Sequence, residues 1–416
     1  MRVVVFEDCR WRKLFPLTEL RPVWDLSWGM GRLSDRLRRA LPNVSWWPRP
    51  ELRETCPGPL FKPEDLGDEP LLLVNGAVCE PETLAEKITL GKRGEEVHAA
   101  GEEKYLIWAR LEPDEARDIL GGMHTSAPGF IERFLNGGRP KGLNGGNRGG
   151  EATGLFRRPW ELVEGNAEAL RRDFPVLTRK LKNAGWKGDV QGDPALVFIE
   201  EGTRVERGVV FSTEEGPVMV AKEAELRAPS RIEGPCYIGQ KTVVDSAQIR
   251  PGCSFGRNCR VSGEVEASIF ADHVNKHHYG FIGHSYVGEW VNLGAGTTNS
   301  DLKNTYGEVR AHGPEGRTPT GLDKAGCFLG DHVKLGIGTM VGTGVCVGPF
   351  SNVFNSPTVG GYVPPFSWGP FGGFETYETA KALEVAEVVM SRRGVELTPD
   401  YHRLVERLAE RYASER

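Results

Sequence analysis

The chain has 416 residues, with 52 Lys and Arg against 57 Asp and Glu and a formal charge of −5. Hydrophobic residues make up 39% and charged residues 26%, a soluble balance that excludes global disorder and collagen-like composition and allows two or three domains. That charge leaves no footprint for nucleic acid or an anionic membrane, and no apolar run approaches the ~20 residues that span a bilayer. The opening Met1-Arg2-Val3-Val4-Val5-Phe6 sets a strand pattern ahead of the basic residues, the reverse of a secretion signal, so a cytoplasmic protein is expected. Cys9, Cys56, Cys79, Cys236, Cys253, Cys259, Cys327 and Cys346 form no C-x-x-C pair and read as small buried hydrophobes in a reducing compartment.

In chain order, residues 1–136 read as mixed α/β. Val3-Val4-Val5-Phe6 and Leu71-Leu72-Leu73-Val74 are buried-strand candidates, and a helix is predicted over about 31–40. Alternating strands and helices predict a parallel sheet covered on both faces, a Rossmann-like layout. Residues 137–152 form a glycine-rich linker with no phosphate-binding signature. A helical connector occupies 153–194, with Pro159 in a first turn and Leu162, Leu170, Phe174 and Leu177 as its buried stripe.

From about 195 the period changes. Leu329, Leu335, Val341, Val347 and Val353 are spaced by six, and Gly330, Gly336, Gly342 and Gly348 follow the first four. The unit recurs at Ile238-Gly239, Phe255-Gly256, Ile282-Gly283, Val287-Gly288 and Leu293-Gly294. Glycine is 53 of 416 residues, about 13% against a usual ~7%, which suits a fold built of tight turns. One inward aliphatic residue every six fits a three-sided coil with a strand on each face, stacked into a parallel β-helix over 195–370. Residues 301–326 interrupt this repeat with a long polar excursion. Helical periodicity returns over 371–416, where a helical cap is expected to hide the last strand edges.

Gly283-His284-Ser285-Tyr286-Val287-Gly288, followed by Val291-Asn292-Leu293-Gly294-Ala295-Gly296-Thr297, narrows the match. These residues, with Arg250-Pro251-Gly252 upstream, resemble the acetyltransferase half of the bifunctional N-acetylglucosamine-1-phosphate uridylyltransferase/glucosamine-1-phosphate acetyltransferase family. The family carries G-H-x-x-Y-x-G, so His and Tyr are one residue closer here. The left hand of the β-helix comes from this resemblance. The N-terminal half resembles sugar nucleotidyltransferases more faintly, through Phe6-Glu7-Asp8, Leu14-Phe15-Pro16-Leu17-Thr18 and Arg21-Pro22-Val23. Its glycine loop is missing, and the family's G-D, whose carboxylate holds Mg²⁺, is replaced by Asn75-Gly76. The whole layout is most similar to a divergent bacterial subgroup of this bifunctional type.

Acetyl transfer to an amino sugar needs a base for the amine proton, and a histidine with an ordinary pKa near 6.5 suits that role. The resemblance assigns it to His284; His277 and His278 in the same segment are the alternatives if the motif is shifted by a corner. It further implies Arg250 and Lys276 as sugar-phosphate partners and Tyr286 and Asn292 as sugar contacts. Ala295, small beside Gly296, would admit the pantetheine arm of acetyl-CoA, with Asn299 and Lys303 as further acetyl-CoA candidates. In the N-terminal half, Arg10, Lys13 and Arg21 are candidates for nucleoside triphosphate contacts, and Glu7 and Asp8 for Mg²⁺ if that half is active. A homotrimer with sites between subunits is expected from the family. The alternatives are sugar-1-phosphate nucleotidyl transfer alone, or a non-catalytic scaffold that binds a sugar nucleotide.

Overall fold

The computed structural model describes residues 1–89, 95–100, 103–120, 127–135, 145–146, 154–356 and 358–414. They fall in two compact units. The first comprises Met1–Leu14, Leu20–Leu26 and Arg32–Arg157, and the second Phe15–Glu19, Ser27–Gly31 and Arg158–Arg416. Of the glycine-rich stretch at 137–152, only Gly145 and Gly146 are among the described residues.

In the first unit the wholly apolar runs become the centre of a sheet. Its strands are β1 (Arg2–Phe6), β2 (Val44–Trp47), β3 (Leu71–Asn75), β4 (Glu95–Ala100), β5 (Glu103–Leu111) and β6 (Gly145–Gly146), in the order β2-β1-β3-β5-β4-β6. β1 runs parallel to β2 and β3, but β5 runs antiparallel to β3 and β4, so the sheet is mixed where the sequence predicts a parallel one. Helices α1 (Leu33–Ala40), α2 (Pro81–Thr89), α3 (Pro113–Leu120) and α4 (Ala127–Leu135) complete the unit. Val4, Phe6, Trp47, Leu73, Leu106 and Phe130 share its core.

The second unit is a three-faced parallel β-helix built on the hexapeptide repeat. Its first face has nine strands, from Val197–Ile199 to Tyr362–Val363. The inward column of that face runs Ile238, Phe255, Phe270, Val287, Leu329, Val347 and Val363 in unbroken register. Each of these side chains is fully buried, and each contributes roughly 1.5–3 kcal/mol by leaving water. The hexad dipeptides seen in the sequence are therefore the core.

Three corners join the faces. The first corner, between the first and second faces, puts Lys241, Asn258, His273, Trp290, His332, Phe350 and Phe366 in the left-handed region at φ between 54 and 65°. Their rings form a ladder: His273 lies on Trp290 at 3.8 Å, His332 on Phe350 at 4.4 Å and Phe350 on Phe366 at 5.4 Å.

The first face is covered by α5 (Pro159–Glu164), α6 (Asn166–Thr178) and the two short early segments. Buried Asn166 accepts the Gly29 N–H at 2.9 Å and donates to the Gly252 carbonyl at 2.9 Å, while Ser254 Oγ donates to the Gly29 carbonyl at 2.7 Å. Asp173 accepts the Met30 N–H at 2.9 Å, and Met30 packs with Leu170, Phe198 and Met219. The expected connector helix is thus two helices broken at Gly165.

The C-terminal helices α7 (Thr379–Ser391) and α8 (Pro399–Ser414) run back along the first corner. Tyr401 meets His332 Nε2 at 3.2 Å, and Arg393, just past α7, donates to Asn258 Oδ1 at 3.3 Å. The strand edge at Ser367–Gly369 is covered instead by Glu375–Thr376, paired antiparallel to it. No helix among the described residues is long and apolar enough to cross a membrane.

Position 76 is closed to any side chain. A Cβ there would sit 2.3 Å from the Trp24 ring, which is stacked on Trp46 at 5.2 Å. Gly76→Ala should destabilise the first unit by about 1–3 kcal/mol, the usual cost of overpacking, and a urea titration that shows no shift in midpoint would contradict this.

Candidate functional site

The third corner returns the chain from the third face to the first, and His284 turns it with φ 47°. Left-handed backbone in a histidine costs free energy, so the surroundings must hold it. Asn299 does so from the next coil: its Oδ1 accepts the Gly283 N–H at 2.7 Å and its Nδ2 donates to the Gly283 carbonyl at 3.0 Å. The His284 N–H reaches the Glu266 carbonyl at 3.1 Å, and the His284 carbonyl accepts from Gly326 at 2.8 Å. Glycine is required at 283, where a Cβ would lie 2.7 Å from Asp301 Oδ2.

With its backbone pinned, the His284 ring is aimed at one group. Nδ1 lies 2.7 Å from Asp301 Oδ2, and the two side chains are 17% and 14% exposed. Asp301 opens the polar excursion, and the far end returns beside it: Ala325 N–H donates to the Asp301 carbonyl at 2.9 Å, and Lys324 lies 3.5 Å from Glu266. Leu302 and Lys324 bridge the stem, beyond which Arg310–Gly313 and Gly316–Pro319 form a hairpin. Burial acts to raise the Asp301 carboxyl, but the hydrogen bond and charge of His284, with Lys324, outweigh it and hold the carboxyl below its ordinary range. An ionised Asp301 accepts a hydrogen bond from Nδ1–H, so that in the neutral imidazole it is Nε2 that carries the lone pair. A carboxylate-oriented imidazole of this kind has the chemistry to accept a proton from a nucleophile.

Arg250 sits two coils earlier on the same corner, its Nε 3.0 Å from Glu264 Oε1, and the hydrogen bond and charge of Glu264 raise its pKa. An incoming phosphate would compete with Glu264 for it. Asn292 stays half-buried on the second face, accepting from Asn275 at 2.7 Å. Ala295 is half-buried at the second corner, and Lys303 lies on the excursion with its ammonium donating to the Glu308 carbonyl. His277 faces Asp245 at 3.7 Å, and His278 is exposed.

Three expectations need correction. Tyr286 cannot meet a sugar as it stands, because it is buried on the covered first face and its hydroxyl accepts the Ser27 N–H at 2.8 Å. Asn299 spends its amide on Gly283 and acts on His284 through the backbone instead of on acetyl-CoA. Lys276 is only 2% exposed, and its Nζ donates to the Ser262 and His278 carbonyls at 2.7 and 3.0 Å, so it holds the second corner together instead of a phosphate.

In the first unit the Glu7 carboxylate is wholly occupied. It accepts from the Val23 and Arg49 N–H groups at 3.1 and 3.2 Å and from the Arg49 guanidinium at 2.9 Å. Burial raises its pKa despite that company. Asp8 accepts from Arg10 at 2.9 and 3.0 Å and from Asn75 Nδ2 at 3.1 Å. Glu7 and Asp8 therefore do not fit a shared Mg²⁺, and among the described residues no three His, Cys, Asp or Glu side chains gather to hold a metal. Of the cations expected to meet nucleotide, Arg10 stacks over Tyr105 at 4.2 Å and Arg21 lies 4.0 Å from Asp25. Lys13 is half-buried in the turn Cys9–Leu14.

Residues 3–182 match the family described as sugar nucleotidyl transferase. The chain is 34% identical over 219 residues to the bifunctional protein GlmU of Jannaschia sp., covering 50% of this chain and 45% of that one. It is 26% identical over 205 residues to a bifunctional sugar-1-phosphate nucleotidylyltransferase/acetyltransferase of Sulfurisphaera tokodaii, covering 49% and 45%. A GlmU of Azorhizobium caulinodans is 26% identical over 307 residues, covering 67% and 64%. The chain spans about half the length of the first two of these relatives.

Asp301 is the residue that sequence reasoning missed. The available signal was the coil length, since Asp301 lies 17 residues after His284, the interval that also separates Ile269 from Tyr286 and Asn275 from Asn292.

Burial lowers the Lys276 ammonium from its ordinary 10.5 to about 8. Between these values the unfolded chain binds the extra proton, so this group makes stability rise with pH across that window, and its penalty is complete below about 8. Lys334, also lowered to about 8, adds a similar slope. Lys276→Met should reduce the rise in urea midpoint from pH 8 to 10.5, and an unchanged slope would refute the assignment.

Proposed function

We propose that this chain, a GlmU-like protein in which a sugar nucleotidyl transferase pattern precedes a hexapeptide-repeat β-helix, transfers an acetyl group from acetyl-CoA to the amine of an amino-sugar phosphate at the His284 corner. The 2.7 Å pairing of His284 Nδ1 with Asp301, at a corner stiffened from both neighbouring coils, carries this reading. As the amine nitrogen attacks the thioester carbonyl, Nε2 of His284 takes its proton. Asp301 stabilises the imidazolium that forms, and the same proton then leaves with the coenzyme A sulfur. Arg250, partly exposed two coils away, is the cation within this corner suited to a phosphate.

Nucleotidyl transfer by the first unit is the second reading, favoured by the match over residues 3–182. The contacts of Glu7 and Asp8 and the closed position at Gly76 give no cage for a catalytic cation, so the first unit is read as recognising a sugar nucleotide through Arg10, Lys13 and Arg21. Assays with acetyl-CoA and glucosamine-1-phosphate, then with UTP or dTTP and sugar-1-phosphates, separate the readings.

Assembly as a trimer fits the second corner, where Tyr279 and Ile337, two coils apart, are 72% and 83% exposed and Met340 follows. Light scattering at micromolar concentration should give three chains; a monomer would remove the idea of sites shared between subunits.

His284→Ala should lower acetyl transfer by about 10²–10⁴-fold, the worth of a positioned base. Asp301→Asn should lower it by up to ~10⁴-fold with the fold intact, because the orienting carboxylate is lost. If His284→Ala acetylates normally while His277→Ala or His278→Ala is inactive, the base lies elsewhere in the segment. If no amino-sugar phosphate is acetylated by the wild type, the acyltransferase reading falls and the scaffold reading takes its place.

A further inference from the structure

The first corner of the β-helix carries positive charge that its surroundings leave unmatched. Arg260 and Arg393 each donate to one acceptor, Asn258 Oδ1, at 3.3 Å. The remaining bonds of Arg260 go to the Lys241 and Cys259 carbonyls at 3.2 and 2.9 Å. Among the described residues neither guanidinium has a carboxylate within ion-pair distance. Burial, with Arg393 next in weight, lowers the pKa of Arg260, and burial lowers that of Arg393. Two partly buried like charges on one amide oxygen are costly unless an anion completes them.

Beside them lies a cavity of about 400 Å³, between the first corner and the C-terminal helices, with Lys241, Arg257, His273, Trp290, Arg393 and Tyr401 in its wall. That volume suits a small molecule. Arg257 is matched by Asp272 at 2.8 Å, Lys241 faces Glu223 at 3.6 Å, and Glu289 also lines the rim. A second, independent observation points the same way. Nδ1 of His273 is buried without a hydrogen-bond partner, and the ring is held against Trp290 at 3.8 Å with the planes 2° apart.

We propose that this cavity binds the phosphoryl group of a phosphorylated small molecule, with Arg393 in the wall supplying guanidinium donors, Arg260 adding its charge from behind the wall residue Asn258, and His273 Nδ1–H a further donor. A dianion matches the two unpaired guanidinium charges, whereas a carboxylate would leave one of them over. Guanidinium is also the side chain best shaped for paired bonds to phosphoryl oxygens. The site is on a different corner from His284, so it is separate from the acyl-transfer reading and can fail or stand without it.

The test titrates the full-length chain with inorganic phosphate, pyrophosphate and UDP at fixed ionic strength, by calorimetry and thermal shift. At least one probe should bind wild type and raise its melting temperature, and Arg393→Gln should weaken that binding roughly tenfold or more, as the loss of a charge-assisted fork does. The unliganded melting temperature of Arg393→Gln should not fall, since the substitution relieves a repulsion. Binding of phosphate alone supports a bare phosphoryl site, and binding of UDP without phosphate supports a nucleotide-sized ligand. Lys241→Gln, at an exposed position on the wall, gives a second readout if Arg393→Gln does not fold, and should also weaken binding. Failure of all three probes to bind wild type, equal binding by the folded variants, or a lower melting temperature of unliganded Arg393→Gln overturns the proposal.

Discussion

Parallel pairing obliges each coil of the second unit to close in register with the one before it, and the rest of that unit depends on this closure. Phe270 pairs with Val287 after 17 residues, but Val287 pairs with Leu329 only after 42. The additional chain is tolerated because it leaves and re-enters at a corner, where no ladder bond is broken. Register then decides chemistry. The excursion must start where the coil would have turned, which sets Asp301 over His284, and must end where the next strand begins, which brings Lys324 to Glu266.

Corners tight enough to allow this closure demand left-handed backbone, and the chain meets the demand mostly without glycine at the first corner. Non-glycine residues in that region cost of order 1 kcal/mol each. Stacking of His273 on Trp290 and of His332, Phe350 and Phe366 in sequence offsets that cost, since aromatic pairs contribute ~0.5–1.5 kcal/mol beyond the area they bury. Among the described residues no ring stacks on His284 in this way, and it is held instead by Asn299 through the Gly283 amide.

The inward residues of the β-helix were legible because a six-residue period survives any outer decoration. What lies against the outside was not. Tyr286 and Asn292 sit on outward-facing positions, and the hexad cannot tell which face is covered; Lys276 stands in register with the core residue Val261, an inward position where the hexad expects an aliphatic side chain. Ser27–Gly31 and α6 cover the first face from distant parts of the sequence, so Tyr286 looked available while its hydroxyl was already bonded. Asp301 escaped for a related reason, since the excursion hides the fact that it closes a coil. In the first unit, the runs at Val3 and Leu71 announced the central strands, whereas the antiparallel course of β5 is set by its pairing to β3 and had no local signature.

The threading of Phe15–Glu19 and Ser27–Gly31 into the second unit bears on how such a chain can be divided or recombined. A polypeptide begun at Arg158 would hold every coil yet lack the donors that satisfy Tyr286, Asn166 and Asp173, and the carbonyl that accepts from Ser254. Tyr286, Asn166, Asp173 and Ser254 would each lose a hydrogen bond along one face, and the apolar patch around Met219 would lose Met30. Cutting between the halves thus separates two sequences without separating two folds. Gene fusions or fissions that keep this β-helix intact have to carry its first thirty-one residues with it.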